Sequence, residues 1–307
     1  MFLKKMLDGW LNIDKPLGVS SAYVVRRVKK LLLEGGVKVK VGHCGTLDPA
    51  ASGVLPIAID EATKLSNYVT GSKKTYIFTI QFGAKTDTAD KEGEVIETTS
   101  NFPATRDVLE KVASKFIGKY MQRIPTYSAA KLKGKPFYLL ARQGLEVPER
   151  SKLVEIFDLK LIDCDLDKRA ATYEVECSKG SYVRTLAEDI SSSLQTLGFV
   201  IELKRIKVLH LAIKDSIPFS ALEQKDALSK IKFLETESLI SHIPSISVTL
   251  QEARNVLQGK QLYLNMPDLD LLWLAYNRRI VSIGQIKNGI YHIFCNFNLI
   301  NKNVDNS

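Results

Sequence analysis

Cysteine and histidine are both scarce in this chain, with four of each among 307 residues. The four thiols, which stand far apart and form no CxxC pair, are those of Cys44, Cys164, Cys177 and Cys295. This spacing argues against a structural zinc site, which gathers its cysteine and histidine ligands in close pairs. Scattered thiols in a chain of this length also indicate a reducing compartment rather than a disulfide framework.

The beginning of the sequence lacks a long hydrophobic segment. The stretch MFLKKMLDGWLNIDKP contains no apolar run long enough to be a signal peptide or a membrane anchor. We therefore expect a cytoplasmic, soluble protein with no membrane partner.

Motifs of several common enzyme classes are also missing. The sequence has no GxSxG nucleophile motif, no GxxxxGK[ST] or GxGxxG phosphate-binding loop and no HExxH metal-binding pair. What remains is chemistry without a cofactor or a metal, or no chemistry at all.

Basic residues outnumber acidic ones. Lys and Arg total 43 and Asp and Glu 34, which gives a formal charge of +9 and a pI near 9.2. Such a surplus on a folded domain suits a polyanion such as nucleic acid. The net charge alone is also compatible with a soluble protein that is basic but does not bind nucleic acid. The hydrophobic fraction of 45% is enough to bury a substantial core.

The order of predicted elements favours an α+β fold. A strand at 10–13 precedes a helix that Ser20 or Ser21 can cap and whose apolar residues form one buried stripe. Further segments are a strand at 74–87, an amphipathic helix at 104–118, a strand, turn and helix over 170–194, and a strand at 199–213. Strands and helices do not alternate strictly, so we expect a mixed or antiparallel sheet.

Two segments suggest how the chain is divided. Residues 121–152 are polar, with three prolines and seven basic residues, and predict a mobile insertion. A stretch with prolines and serines near Ile243 predicts a boundary between a main domain, 1–243, and a small β-rich domain, 244–307. About 60 residues are marginal as an independent unit and are more stable when docked on the main domain.

A short stretch rich in small residues, GHCGTLDPAASG at 42–53, contains a single carboxylate, Asp48. Aspartate before proline is common in turns, so a structural turn is the simpler interpretation of TLDP alone. The glycines at positions 42, 45 and 53 favour a functional interpretation, because they let the backbone pass close to a ligand. A carboxylate in such a place can serve as a nucleophile.

Extended to GHCGTLDPAASGVLP and followed by EATKLSNYV, this stretch resembles the signature of the bacterial TruB family of tRNA pseudouridine-55 synthases. Other segments resemble the family's further motifs in the same order, over about residues 10–208: NIDKPLGVSS, KTYIFTIQFGAKTDTADKEGEV, PTYSAAKLKGKPFYLLARQGLEVP, CSKGSYVRTLAEDI and LKRIKV. The C-terminal stretch resembles, to a smaller degree, the family's short PUA-like RNA-binding domain.

The resemblance implies a pseudouridine-synthase fold, with a mixed, mainly antiparallel central sheet flanked by helices. It also implies a reaction: a T-loop uridine of tRNA is flipped out, its N1–C1′ bond is cleaved, the uracil turns, and C5 is joined to C1′. The family uses no cofactor or metal. Asp48 would be the nucleophile; attack on the ribose, attack on the base and a glycal route all remain open.

The resemblance assigns two further catalytic residues. Arg184 would pair with Asp48 and keep it ionised and oriented. The alternative is that Arg184 caps a helix or pairs with Glu188 or Asp189. Tyr76 would stack on the flipped uracil, and its hydroxyl is a weaker candidate for proton transfer at C5.

Other residues would bind the substrate. His43 would fill the gap left in the RNA or contact the flipped nucleotide, while Tyr182 and Leu203 would line the uracil pocket. For His43 and Leu203 ordinary packing is the alternative. Lys15 would support the catalytic loop or contact a phosphate. The basic residues of the insertion that are expected to contact RNA phosphates are Lys131, Lys133, Lys135 and Arg142.

Two other functions compete with the isomerase. One is a catalytically silent RNA-binding or tRNA-folding protein, against which the joint presence of Asp48, Tyr76 and Arg184 argues. The other is a guide-RNA-dependent relative of the kind found in archaea and eukaryotes, which delegates recognition to RNA and protein partners. The basic insertion favours direct tRNA binding, so we expect a tRNA partner, no guide RNA and a monomer.

Overall fold

The computed structural model describes residues 7–102 and 105–299. Residues 1–6 of the predicted main domain, Ala104 at the start of the predicted helix 104–118, and residues 300–307 of the predicted C-terminal domain lie outside these ranges.

The structure contains strands of very different lengths. They are β1 (Gly9–Lys15), β2 (Val41–His43), β3 (Ala51–Ile59), β4 (Lys74–Phe82), β5 (Ala84–Thr86), β6 (Val95–Thr98), β7 (Gly118–Arg123), β8 (Lys131–Leu132), β9 (Lys135–Pro136), β10 (Ser151–Asp165), β11 (Ala170–Cys177), β12 (Gly198–Val208), β13 (Leu211–Ala212), β14 (Ile217–Pro218), β15 (Ser245–Ser247), β16 (Leu262–Tyr263), β17 (Leu269–Tyr276), β18 (Arg279–Lys287) and β19 (Ile290–Asn296).

The α-helices are α1 (Ser21–Glu34), α2 (Ser66–Thr70), α3 (Arg106–Ser114), α4 (Phe137–Arg142), α5 (Val183–Ser193), α6 (Ala227–Lys230) and α7 (Leu250–Leu257). Short 3-10 helices are formed by Asp60–Leu65, Ile213–Asp215, Phe219–Glu223 and Thr236–Ile240. No helix within the described ranges is long and apolar enough to cross a membrane.

A central sheet runs in the order β14-β1-β3-β12-β4-β11-β10-β7, with β2 and β13 attached to its sides. The pairs β1–β14 and β3–β12 are parallel, and the other neighbours are antiparallel. The expectation of an α+β fold with a mixed, mainly antiparallel sheet is confirmed.

Helix α1 shows how local sequence signals produce an element of this fold. The Ser20 side chain caps it by accepting from the Tyr23 N–H, and its apolar stripe packs against β1 and β3. Helices α3 and α5 pack on a second hydrophobic cluster, against strands β4, β10, β11 and β12. Val183 at the start of α5 and Ala51 of β3 belong to the same cluster, so the N-terminal end of α5 lies near the β3–β12 junction.

Two predicted strands end earlier than expected. The predicted strand 74–87 divides at Gly83, whose φ of 97° turns the chain between β4 and β5. The predicted strand 199–213 ends at Val208, because Leu209 adopts a φ of 53° and reverses the chain into β13. A side-chain pattern does not reveal either change of backbone direction.

The predicted insertion 121–152 extends too far at both ends. Residues 121–123 belong to β7 and residues 151–152 to β10, and these two strands pair in the central sheet. The remaining segment, 124–150, contains the β8–β9 hairpin and α4, and we call it the insertion below. The sequence did not indicate β7, because it is a short edge strand whose one fully buried side chain is the polar Gln122 and whose apolar Met121 is exposed, so apolar residues do not alternate along its buried face.

A five-stranded C-terminal sheet, in the order β15-β17-β18-β19-β16, is packed by α7. It has a hydrophobic cluster of its own and shares another with the main sheet, to which Trp10 and Trp273 both contribute. Arg279 adds ion pairs to Asp8 at 2.8 Å and to Glu237 at 3.1 Å. The small sheet is thus docked on the main domain through a continuous core.

Candidate active site

Asp48 lies in the loop between β2 and β3, and both ends of that loop are fixed. The Ser21 hydroxyl accepts from the Leu47 N–H at 2.8 Å and donates to the Leu47 carbonyl at 2.9 Å, which ties the loop to the first turn of α1. At the other end a Cβ on Gly53 would lie 2.1 Å from the Arg205 carbonyl oxygen, so only glycine lets β3 approach β12 here. The Asp48 side chain remains 45% exposed and is open to a substrate.

Arg184 lies in the first turn of α5 and its side chain is only 7% exposed. Its Nη2 donates to Asp48 Oδ2 at 2.8 Å and to the Tyr127 carbonyl at 2.9 Å, and its Nη1 donates to the Thr88 carbonyl at 2.8 Å. A buried guanidinium held by two carbonyls is a rigid partner for a carboxylate. Asp48 is therefore oriented by a guanidinium that is itself held in place by two carbonyls.

The alternative partners considered for Arg184 are engaged elsewhere. Glu188 accepts from Arg123 at 2.7 Å, and Asp189 faces Tyr120 at 3.4 Å. The pairing of Arg184 with Asp48 is present in the structure as the resemblance implied.

A second carboxylate near Arg184, Asp90, escaped the sequence analysis. Its Oδ2 lies 3.4 Å from Arg184 Nη1, and its Oδ1 accepts from the Thr88 hydroxyl at 2.7 Å and from the Glu92 N–H at 3.1 Å. The DTADKEG turn was noted as a motif, but nothing in it distinguishes Asp90 from Asp87 as the inward residue. Arg184 thus lies between two carboxylates of unequal exposure, 45% for Asp48 and 9% for Asp90.

A pocket of about 70 Å³ opens beside the Asp48–Arg184 pair. It is lined by Thr46, Leu47, Asp48, Ala51, Tyr76, Ser181, Val183, Arg184 and Leu203. Tyr76 and Leu203 are both predicted site residues, and the strands that bear them, β4 and β12, are neighbours in the sheet. Burial raises the pKa of the Tyr76 phenol, although the nearby Arg205 charge opposes that shift. The phenol is therefore neutral at pH 7.

Two predicted substrate-binding residues, Tyr182 and His43, are not part of the pocket lining. Tyr182 immediately precedes α5, and the Lys152 ammonium lies 4.4 Å from its ring centroid. Burial raises the pKa of Tyr182, and the charge of Asp48 acts in the same direction. His43 lies in β2; burial lowers its pKa, with a further lowering by Arg205, and its Nδ1 has no hydrogen-bond partner among the described residues.

Lys15 does not take the phosphate-contacting role that the sequence left open. Its side chain is fully buried and its ammonium donates to the carbonyls of Pro16 and Val19 at 2.9 and 2.8 Å. Burial lowers its pKa to about 8, while the charge of Asp48 acts in the opposite direction. The geometry favours the other alternative, support of the loops next to the site.

Two further buried cations, Arg205 and Lys74, lie close to Gly45 in the loop that bears Asp48, and the sequence analysis did not single them out. Arg205 is fully buried and donates to the Val54 and Gly45 carbonyls at 2.7 and 3.0 Å. Lys74 donates to the Thr70 and Ser72 carbonyls at 2.9 and 2.7 Å, and burial lowers its pKa to about 8. Arg205 belongs to the LKRIKV motif and Lys74 is the first residue of KTYIFTIQFGAKTDTADKEGEV, but neither motif indicated a role for these residues.

The basic residues predicted to contact RNA are on the surface of the insertion. All four side chains, on the β8–β9 hairpin and α4, are exposed: Lys131, Lys133, Lys135 and Arg142. The first residues of the insertion reach the site itself, because the Tyr127 carbonyl accepts from Arg184. The insertion therefore joins an exposed basic surface to the candidate catalytic pair.

The part of the chain that the structure describes contains no cluster of three His, Cys, Asp or Glu side chains arranged to hold a metal ion.

Comparison with known families and sequences gives a consistent result. A model described as the TruB family pseudouridylate synthase N-terminal domain matches residues 29–183. A tRNA pseudouridine synthase B of Rickettsia akari is 41% identical over 304 residues, which cover 96% of this chain and 100% of the relative. One of Rickettsia bellii is 41% identical over 292 residues, which cover 94% and 98%.

Solved structures with the same fold include complexes of Cbf5. A Cbf5-Nop10-Gar1 complex gives a TM-score of 0.70 at 21% identity and covers 94% of this chain and 84% of the matched one. An archaeal box H/ACA sRNP Nop10-Cbf5 complex gives 0.69 at 19% identity, with coverages of 95% and 86%. These likenesses confirm the predicted fold, with its central mixed sheet and the small C-terminal sheet domain.

Proposed function

The chain belongs to the TruB family of pseudouridylate synthases and is an isomerase that forms pseudouridine in tRNA; we propose that its target is uridine 55 of the T-loop and its nucleophile Asp48. The observation that carries this proposal is the pair of Asp48 and Arg184 at 2.8 Å beside the pocket. It is the place where an exposed carboxylate, a fixed cation and an aromatic residue converge.

The reaction needs no second substrate, so the main task of the enzyme is to position the nucleotide. Uridine and pseudouridine contain the same atoms: the N1–C1′ bond breaks, the C5–C1′ bond forms, and the proton lost from C5 is balanced by one gained at N1. No electron or group donor is needed. Asp48, oriented by Arg184, engages the nucleotide by attack on the ribose, by attack on the base or by assisting a glycal.

Extraction of the base from the T-loop costs a few kcal/mol, which the pocket has to offset. Stacking of the uracil on Tyr76 contributes about 1–3 kcal/mol. Leu203, on the neighbouring strand β12, supplies an apolar side chain to the same pocket. Because the pKa of Tyr76 is raised, its phenol is a hydrogen-bond donor and a stacking surface rather than a ready base. Stacking is thus its principal proposed role.

His43 and Tyr182 would contact the RNA around the flipped nucleotide. The lowered pKa of His43 keeps its imidazole neutral at pH 7, which suits a group that fills the space left in the base stack. The Tyr182 ring remains partly accessible beside Lys152, at the side of the pocket.

The insertion would hold the T arm through phosphate contacts. Its exposed basic side chains are the features expected of a surface that binds tRNA directly, as a monomer and without a guide RNA. A tRNA substrate also implies action in the cytoplasm.

The test is position-resolved mapping of pseudouridine in an unmodified tRNA transcript after incubation with the purified protein and EDTA. We expect pseudouridine at nucleotide 55 and none in a matched transcript with cytidine at that position. Normal tRNA binding without product would reject the isomerase and favour a silent tRNA-binding or tRNA-folding protein.

A guide-dependent enzyme is the second candidate, because solved structures with this fold include a Cbf5-Nop10-Gar1 complex and an H/ACA RNP bound to a substrate RNA. Their identity of 19–21% supports a common fold and nothing more specific. Turnover of a bare tRNA transcript, with no other RNA or protein present, separates the two: the guide-dependent enzyme would leave it unmodified.

A further inference from the structure

A fully buried glutamine, Gln122, lies in the edge strand β7 next to the candidate active site. Its side-chain amide is fitted to the backbone of one residue, Tyr182. The Gln122 Oε1 accepts from the Tyr182 N–H at 2.8 Å, and the Nε2 donates to the Tyr182 carbonyl at 3.1 Å. A side chain that satisfies both backbone groups of one residue fixes its position and its orientation.

Tyr182 is the N-cap of α5, and its own side chain makes no capping hydrogen bond. Arg184 follows two residues later and reaches Asp48 from the first turn of that helix. The contact with Gln122 therefore determines where α5 begins and from what point the Arg184 side chain extends.

Gln122 also connects to a second point on α5. Its Nε2 donates to the Tyr120 hydroxyl at 2.7 Å, and that hydroxyl faces Asp189 Oδ2 at 3.4 Å. Tyr120 and Gln122 are two positions apart on β7, so they point to the same face. Because a helix rises about 1.5 Å per residue, α5 is held at two points about 10 Å apart.

We propose that Gln122 is a positioning residue for the Asp48–Arg184 pair, an inference that rests on the proposed function of that pair. Without Gln122 the start of α5 is free to shift, and Arg184 loses its geometry toward Asp48 and the Tyr127 carbonyl together. Displacements of about 1 Å in such a site cost on the order of 100-fold in rate. Since β7 leads directly into the insertion, the same strand fixes α5 and the root of the surface proposed to hold tRNA.

The first test is Gln122→Met, which keeps an unbranched side chain of similar length and removes the hydrogen bonds. We expect kcat for pseudouridine formation to fall about 30-fold or more while the Kd for tRNA changes less than about threefold. The matched control is Gln81→Met. Gln81 also donates to backbone carbonyls, those of Lys168 and Arg169 at 2.8 and 3.2 Å, but away from the site, and we expect its kcat to be unchanged.

The second variant, Gln122→Glu, distinguishes hydrogen bonding from packing. A protonated glutamic acid reproduces one donor and one acceptor of the amide, whereas the ionised form cannot donate to the Tyr182 carbonyl. Burial favours the protonated form. The kcat of this variant relative to wild type should rise at least about tenfold between pH 8.5 and 5.5. The charged or titratable groups that face this position are Tyr120, Lys152, Tyr182 and Asp189, and all four are present in both proteins. Burial raises the pKa of Asp189 to about 6, so its own titration contributes to both pH profiles, and its repulsion of the introduced carboxylate adds to the burial that favours the protonated form.

Amide hydrogen exchange supplies a readout independent of turnover. In Gln122→Met the segment 181–186 should exchange about tenfold faster than in wild type, while β12 stays protected. Wild-type kcat in Gln122→Met, or unchanged exchange at 181–186, would overturn the proposal. If the wild-type protein itself formed no pseudouridine, the proposed function would fail, and the exchange result would still decide whether Gln122 holds α5.

Discussion

The cations around the candidate active site and those of the insertion are the same residue types in opposite environments. Arg184, Arg205, Lys15 and Lys74 are buried and donate to backbone carbonyls, and Arg184 alone among them forms an ion pair within the described chain. The insertion instead presents lysines and two arginines to solvent. The first group shapes the site, and the second is free to meet a polyanion, so the net charge of +9 alone does not measure the RNA-binding surface.

The variant Arg184→Lys tests most strongly whether the buried cations act through their geometry, because it keeps the positive charge and removes the planar guanidinium. The planar guanidinium of Arg184 donates to Asp48 and to the carbonyls of Thr88 and Tyr127 at the same time. A lysine ammonium is too compact to reach all three acceptors. We expect the single-turnover rate to fall on the order of 10²–10³-fold, with tRNA binding nearly unchanged.

The control is Arg106→Lys, because Arg106 pairs with Glu110 at 2.8 Å and both side chains are about half exposed. Its rate should remain within about twofold of wild type, as exposed pairs contribute little. An Arg184→Lys enzyme with the wild-type rate would show that charge alone suffices.

Arg205→Met tests a buried cation with no carboxylate partner. The variant leaves the Val54 and Gly45 carbonyls without their donor, so the free energy of unfolding should fall by about 3 kcal/mol. Urea denaturation measures it. Arg142→Met, on the exposed insertion, should change stability by less than about 0.5 kcal/mol. Equal losses in both variants would contradict the comparison.

Replacement of Lys131, Lys133 and Lys135 by glutamine tests the exposed group. We expect tRNA affinity at 0.1 M salt to fall about 10- to 30-fold and the slope of log K against log salt to decrease by about 2. Turnover at saturating tRNA should persist. The matched triple variant replaces lysines already paired with aspartates, namely Lys160, Lys168 and Lys287, and should bind tRNA normally. Similar losses in the two triples would mean that the insertion has no special part in binding.

The smallest predicted effect concerns the protonation of Lys74. Its folded-state pKa of about 8 lies below the usual value of 10.5, so the unfolded chain binds more protons between those values and stability rises with pH across that window. Relative to Lys74→Met, the wild-type free energy of unfolding should gain about 1 kcal/mol from pH 7 to 9. Lys131→Met, which alters an exposed lysine, should show the wild-type pH dependence. If the difference in unfolding free energy between wild type and Lys74→Met did not change with pH, the Lys74 ammonium would have to be solvated in the folded protein.

Local patterns predicted the elements that have one exposed and one buried face. The spacing of Val24, Val28, Leu31 and Leu32 produced α1 correctly, because a helix at the surface must alternate with a period of about 3.6 residues. Strand β3 was not predicted, since it is buried on nearly every position and contains Gly53 and Pro56. Its run of apolar residues has no alternation to identify it.

Only those residues of the site that belong to recognisable motifs could be predicted from the sequence. The motifs supplied Asp48, Tyr76 and Arg184, and the structure brings these three around one pocket. They contain Asp90 without indicating its role and do not include Gln122; the roles of these two residues arise from contacts across 94 and 60 residues of sequence. Nor could sequence distinguish the buried Lys15 from an exposed phosphate ligand, because burial is decided by the packing of distant strands.

The central claim, that the half-exposed Asp48 carries the chemistry while other groups bind the RNA, is tested most directly with Asp48→Asn. Product formation at nucleotide 55 and the Kd for tRNA are measured on the same preparation, beside Asp107→Asn on the exposed face of α3 as the control. The account predicts a Kd within about threefold of wild type and no detectable pseudouridine for Asp48→Asn, because an amide is not a nucleophile of comparable strength. Pseudouridine formed by Asp48→Asn at a rate near that of the control would contradict it.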